Sequence, residues 1–242
     1  IYDNKGEFLK SLSYYHRSLK IYEKISDNKC IANCFSDIGI LHVNKKSYNL
    51  ALEYFNKAIN IRKKMNDPKG IASSYNNIAG IYFYQNNFTK ARYFYNLALS
   101  MFENLKHTSG IVNCYTNLGV IAKKQKKYDE ALIYYFKGTE AYEKQKNKQR
   151  LSLIYNNISE LYTEKKQFNQ ALDYAKKANE FALEIGNLPD ENESYRCMKM
   201  AYEGLGNFKS ALECANKYID THDSLNKQES SRTIQEMEAR YQ

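Results

Sequence analysis

Apolar and polar residues follow one another along this chain with a helical period, and the helical segments themselves recur. In residues 31–70, Phe35, Ile38, Leu41 and His42 fall at the three-and-four spacing of one helix face. The polar break Lys45-Lys46-Ser47 follows. Tyr48, Ala51, Leu52, Phe55, Ala58, Ile59 and Arg62 then mark a second helix, expected to be the longer of the two. Asn66-Asp67-Pro68-Lys69-Gly70 closes the unit with turn-forming residues.

The unit repeats every 40 residues without an insertion. Phe35 returns as Tyr75, Tyr115, Tyr155 and Tyr195, and Ile38 as Ile78, Leu118, Ile158 and Met198. Phe8 returns as Tyr48, Phe88, Tyr128, Phe168 and Phe208, and Ser11 as Ala51, Ala91, Ala131, Ala171 and Ala211. Small residues at 39, 79, 119 and 159 are placed to let paired helices approach closely, with bulky rings filling the neighbouring holes. A fixed period of this length is the mark of a repeat architecture, so length counts helix pairs.

Composition agrees. There are 2 Pro, 23 Tyr, 11 Phe and no Trp in 242 residues, which fits long helices packed by rings. At 43% hydrophobic and 26% charged the chain is neither disordered nor membrane-like, and no apolar run is long enough to span a bilayer.

The aromatic-x2-Leu-Gly/Ala-x2-Tyr pattern followed by Tyr/Phe-x2-Ala-x3-Phe/Tyr-x2-Ala resembles the tetratricopeptide repeat (TPR). Unit 71–110 carries it as Tyr75, Ile78, Ala79, Tyr82, Phe88, Ala91, Tyr95 and Ala98. Unit 111–150 carries it as Tyr115, Leu118, Gly119, Tyr128, Ala131, Tyr135 and Gly138. Units of this length are similar to those of kinesin light chains and bacterial TPR signalling proteins. The resemblance implies an all-α fold: a right-handed α-solenoid of antiparallel helix pairs, with about five full repeats and a partial one at the N-terminus. The units are residues 1–30 (mainly a second helix), 31–70, 71–110, 111–150, 151–190 and a TPR-like terminal repeat at 191–220. Residues 221–242 are expected to form a capping or linker helix.

Both ends carry expectations. Ile1–Phe8 aligns with Ile81–Phe88, so the chain should open in the middle of a first helix, with at least half a repeat upstream in a longer protein. At the other end, Ile234, Met237 and Tyr241 are spaced to begin a coiled-coil seam, through which the full protein would dimerise. The run from Asp223-Ser224-Leu225 to Glu236-Met237-Glu238-Ala239-Arg240-Tyr241 is similar to the junction in bacterial TPR histidine kinases and TPR transcription regulators. That resemblance places the repeats in the periplasm if a membrane-crossing kinase follows, and in the cytoplasm otherwise. Any membrane attachment would come through a flanking segment.

No chemistry of catalysis stands out. His16, His42, His107 and His222 are scattered, and there is no HExxH, P-loop, GxGxxG or GxSxG motif. His42 takes the place of Tyr82 and Tyr162 and reads as a packing residue; Gly204-Leu205-Gly206 reads as a helix end. Five cysteines without a CxxC read as free thiols, not as a disulfide framework or a zinc site. No enzyme, cofactor or metal is expected in these residues. Residues 1–150 hold 25 basic and 12 acidic side chains, and 151–242 hold 11 and 15. A basic half admits a nucleic-acid-binding solenoid, but Lys45, Lys46, Lys126, Lys127, Lys165 and Lys166 fall at turns, so nucleic acid is not the favoured partner.

An asparagine ladder is the functional signal. Register position 37 reads Asp37, Asn77, Asn117, Asn157 and Cys197; position 36 includes Asn76 and Asn156; position 33 includes Asn33 and Asn113. The TPR resemblance implies that these positions line the concave groove and that Asn at position 37 grips a ligand backbone. The amide suits this, because it donates and accepts at once. Helices about 8–10 Å apart and an extended chain advancing about 3.3 Å per residue would match one amide to every third peptide bond. Arg196, Lys123, Lys124, Phe83 and Tyr84 would add side-chain preference. The expected function is a protein- or peptide-binding scaffold in a bacterial signalling protein. The alternative is a peptide-controlled regulator similar to quorum-peptide receptors and TPR phosphatases.

Overall fold

A computed structural model describes residues 3–144 and 147–241. The expectations resting on Ile1 and Tyr2, and on the side chains of Met237 and Tyr241, lie outside the described residues. Among the described residues there are eleven helices and no strand: α1 (Asp3–Lys24), α2 (Asn28–Asn44), α3 (Tyr48–Lys64), α4 (Pro68–Tyr84), α5 (Phe88–Asn104), α6 (Thr108–Lys124), α7 (Tyr128–Glu143), α8 (Lys148–Glu164), α9 (Phe168–Ile185), α10 (Leu188–Gly204) and α11 (Phe208–Tyr241). They form two compact units, residues 1–121 and 122–242.

One device ends nearly every helix. Ser26, Lys46, Asn66, Asn86, Lys106, Lys126 and Lys166 adopt left-handed φ values of 51–59°, and Gly186 and Gly206 adopt 64° and 73°. These positions fall twenty residues apart or at multiples of twenty. At the end of α2, the Lys46 amide donates to the Val43 carbonyl and the Ser47 amide to the His42 carbonyl, both at 2.8 Å. This Schellman arrangement satisfies carbonyls that a helix end leaves open. The residue after the left-handed one often caps the next helix. Asp27, Asp67, Asn87 and Asn207 each accept from the backbone amide three residues on, at 2.9–3.1 Å.

The turn spacing corrects the expected helix lengths. α2 and α3 each have 17 residues, as do α4 and α5. The apolar pattern of α2 starts at Ile31, but its first turn, Asn28-Lys29-Cys30, is polar and carries no apolar face to read. α1 runs unbroken from Asp3 to Lys24, through the residues that align with the α4–α5 turn. Glu7 stands where Asn87 caps α5, and glutamate favours helix continuation over capping.

In the first unit, Ala51, Phe55 and Ile59 of α3 pack on Ile78 and Ile81 of α4. Small residues make room as expected: a Cβ at Gly39 would come within 3.0 Å of the Phe55 ring. Phe55 is fully buried, which stabilises by about 2–3 kcal/mol. His42 is buried and stacks on Tyr54 at 5.5 Å, the packing role its register predicts.

In the second unit, Ser159 Oγ donates to the Ala171 carbonyl at 2.7 Å, tying α8 directly to α9. α10 packs on α9 and α11 through Tyr195, Met198, Ala201 and Cys214. α11 is one unbroken helix of 34 residues, so no break separates the last repeat from a capping helix at 220. What changes there is packing. Asn192 Nδ2 donates to the Tyr218 carbonyl and to Thr221 Oγ1, both at 2.7 Å, and the described side chains after Thr221 are almost all exposed. All five cysteines are free thiols.

Candidate functional site

Among the first helices, α2 touches α4 and α8 touches α10, and Cys114 of α6 reaches Asn76 of α4, so equivalent positions follow one another in rows within each unit.

In the first unit the row is amide- and hydroxyl-rich. Asn77 and Asn117 are half-buried, and no side-chain hydrogen bond of either is formed with another described residue. Their amides retain donor and acceptor capacity toward a ligand. Asn113 is exposed. Asn76 Oδ1 accepts a long contact from Cys114 Sγ at 3.9 Å. Asn33 Oδ1 accepts from Arg62 Nη2 at 3.0 Å.

Arg62, read in the sequence only as part of the second-helix pattern, is the centre of a buried polar cluster. It is 7% exposed, and its Nη1 donates to Ser36 Oγ at 2.9 Å, Ser74 Oγ at 2.6 Å and the Gly70 carbonyl at 3.3 Å. Nε lies 3.8 Å from Asp67 Oδ2. Burial pulls the guanidinium below its ordinary value, and Asp67 and Asp37 oppose that. Burial likewise pushes the Asp37 carboxyl up, against Arg62. One signal was present: the equivalent positions are Tyr22, Phe102, Tyr142 and Ala182, so an arginine stands in the buried phase of the helix.

Phe83 and Tyr84 stand about 10 Å further along α4 than Asn77. They join Tyr48 and Phe88 in a cluster at the α4–α5 turn. Tyr84 is 60% exposed and stacks on Tyr48 at 6.4 Å, while Phe83 meets Phe88 at 5.9 Å.

In the second unit the row is charged and paired. Lys123 Nζ is ion-paired with Glu160 and lies 3.6 Å from Glu164 Oε1. Arg196 Nη2 reaches Glu160 Oε1 at 3.1 Å, and its Nε donates to Glu193 Oε2 at 2.9 Å. Burial pushes the Glu160 carboxyl up, but Lys123 and Arg196 outweigh it and hold the group below the ordinary glutamate range. Glu193, partly offset by burial, raises Arg196 above its ordinary value. Lys123 and Arg196 are therefore partners of Glu160, which sequence reasoning had not singled out. Lys124 is exposed.

Asn157 is half-buried, without a side-chain hydrogen bond to a described residue. Asn156 departs from expectation. It is 3% exposed, and its Nδ2 donates to the Asp190 carbonyl at 3.1 Å, joining α8 to α10 instead of facing an open row. Among the described residues no cluster of His, Cys, Asp or Glu is arranged to hold a metal, and no helix is long and apolar enough to cross a membrane.

A family model described as tetratricopeptide repeat matches residues 1–64 and 70–144, and a second with the same description matches 153–184. No curated protein matches in sequence. Among solved structures, BtubC (BKLC) from P. vanneervenii superposes with a TM-score of 0.81 at 18% identity, over 90% of this chain and 92% of its own. The quorum sensor NprR from B. thuringiensis, in its apo form, gives 0.69 at 19% identity, over 90% of this chain and 62% of its own. A signal-transduction ATPase with numerous domains and a tetratricopeptide repeat sensor, from Pyrococcus horikoshii, gives 0.78 at 19% identity, over 92% of this chain and 34% of its own.

Proposed function

The chain belongs to the tetratricopeptide-repeat family, and on that premise we propose that it is a binding scaffold that holds an extended peptide or protein segment on its first-helix faces. The observation that carries this reading is the pair Asn77 and Asn117. They stand one repeat apart, half-buried, with amides not engaged by any described residue. Such amides bind a peptide backbone by donating to a C=O and accepting from an N–H, with little regard to side chains. In the second unit, Asn157 would act in the same way. There the chain Lys123–Glu160–Arg196–Glu193 supplies charge, available to a ligand only by exchange with the internal partners.

The finer reading is the sensor or interaction part of a bacterial signal-transduction protein, with any kinase or other output elsewhere. Support comes from the likeness in fold to a quorum sensor and to a TPR sensor of a signalling ATPase. A peptide-controlled regulator is the variant of this reading that the quorum-sensor likeness favours. Nucleic-acid binding is disfavoured because Lys46, Lys126 and Lys166 serve as left-handed turn residues.

Selection from a randomised peptide library against the immobilised protein, followed by calorimetry, tests the reading. Asn77→Ala and Asn117→Ala should each weaken selected peptides about fivefold, the worth of one hydrogen bond. A library that yields no binder, or variants that bind unchanged with intact helicity, would overturn it.

A further inference from the structure

Three of the repeats seat a ring between two others; in residues 111–150 Ala122 takes the place of one outer ring. In three repeats the second-helix ring stacks on a first-helix ring: His42–Tyr54 at 5.5 Å, Tyr82–Phe94 at 5.5 Å and Tyr162–Tyr174 at 5.6 Å, with interplanar angles of 10–12°. The same second-helix ring also meets the ring one helix face earlier: Phe35–Tyr54 at 6.1 Å, Tyr75–Phe94 at 5.9 Å and Tyr155–Tyr174 at 5.7 Å. The middle ring is Tyr54, Phe94, Tyr134 and Tyr174 in successive repeats.

The last repeat keeps the outer two and lacks the middle one. Tyr195 and Tyr202 are present, but the position between them is Cys214, and the neighbouring position, Phe55 in the first full repeat, is Ala215. The result is a cavity of about 210 Å³ lined by Asn179, Tyr195, Met198, Tyr202, Cys214 and Lys217. A cavity of about 150 Å³ in an apolar core is enough to take benzene. Ser210 and Glu213 complete the polar side of the lining; Lys217 Nζ stands 5.3 Å from the centre of the Tyr195 ring, and the Asn179 amide donates to Ser194 Oγ at 2.8 Å. Lys176 Nζ stands 6.0 Å from the centre of the Tyr202 ring, and Tyr195, Met198, Tyr202 and Cys214 form the apolar side of the cavity, against which a flat ring can lie.

We propose that this cavity binds a small molecule carrying one neutral aromatic ring, seated between Tyr195 and Tyr202 where the other repeats carry their own side chain. The inference is independent of the first-helix amides: it concerns the α9–α10–α11 packing only. Offset-stacked or edge-to-face contact with two tyrosines favours a ring over a saturated group of equal size. The Cys214 thiol forms one wall of the cavity and reports on its occupancy.

Phenol is the probe. Titrated into the whole chain and followed by saturation-transfer NMR, it should bind at millimolar concentration or below, with cyclohexanol weaker. Cys214→Phe restores the missing ring and should cost about tenfold or more in phenol affinity while raising the melting temperature, as expected of a filled cavity. In the wild-type chain, phenol should slow maleimide labelling of Cys214, read by peptide mapping, and leave Cys30 unaffected. The labelling experiment decides the matter even if Cys214→Phe fails to fold. Absence of phenol binding, unchanged binding by folded Cys214→Phe, or labelling of Cys214 at the same rate with and without phenol would overturn the proposal.

Discussion

Arg62 Nη1 donates to Ser74 Oγ at 2.6 Å, fastening the last turn of α3 to α4, and the same nitrogen reaches Ser36 Oγ on α2 at 2.9 Å. A single buried cation therefore ties three consecutive helices at a place where other repeats use apolar packing. Arg62→Ala should lose about 2–4 kcal/mol in urea unfolding, from the cavity and the stranded polar partners. Arg62→Phe should lose about half as much, because Phe102 occupies the equivalent position. Equal losses for the two variants would remove the arginine's special role.

The glycines near these positions differ in sign. A Cβ at Gly110 would fall 2.5 Å from the Phe102 ring, whereas one at Gly80 would have only the Tyr95 hydroxyl at 3.8 Å. Gly110→Ala should destabilise by about 1–3 kcal/mol through overpacking. Gly80→Ala should stabilise by about 0.5–1 kcal/mol, the usual helix gain. Calorimetric melting of both variants checks the contrast, and a stable Gly110→Ala would contradict it.

The left-handed turn residues offer a gain. Lys126 has φ 57° without the freedom of glycine. Lys126→Gly should stabilise by about 0.5–1 kcal/mol by relieving that strain. At Gly206, φ is 73° and nothing lies within 4 Å of an added Cβ, so Gly206→Ala should cost about 1 kcal/mol from backbone strain alone. Chemical denaturation reads both, and a loss in the first variant would refute the assignment.

Glu160 should make stability pH-dependent. Its folded carboxyl titrates below its unfolded one. Its stabilisation is therefore present above the ordinary glutamate value of about 4.3 and is lost as pH falls through the lowered folded value. Asp190 has the opposite sign: burial raises it, so its ionisation opposes folding at neutral pH and the opposition fades in acid. The urea midpoint of wild type should exceed that of Glu160→Gln at pH 7, with the gap closing in acid. A gap constant with pH would sink the claim.

Much of this was legible in the sequence, for identifiable reasons. Ala51, Ala91, Ala131 and Ala171 are fully buried at the expected helix contacts, and small size at a fixed interval is a signal a single sequence carries. The turn lysines were readable because each sits between two apolar patterns. The polar first turn of α2 was not, since hydrophobic spacing cannot mark a turn that buries little. The burial of Asn156 was also hidden: Asn156 and Asn157 look alike along the chain, and only the approach of the Asp190 carbonyl separates them. The partnership of Lys123 and Arg196 through Glu160 joins residues more than thirty positions apart, which no local pattern encodes. The missing ring at Cys214 was present in the register, but the cavity it leaves beside Tyr195 and Tyr202 is visible only in the structure.

The central claim is backbone capture by first-helix amides, and backbone alteration of a bound peptide tests it most directly. A peptide selected by the protein would be remade with each amide N-methylated in turn and, separately, with each side chain cut back to alanine. Losses of about fivefold or more at peptide bonds spaced about three residues apart, absent when Asn77→Ala and Asn117→Ala are present together, are the predicted result. Affinity insensitive to N-methylation and governed by side-chain truncation would contradict the account.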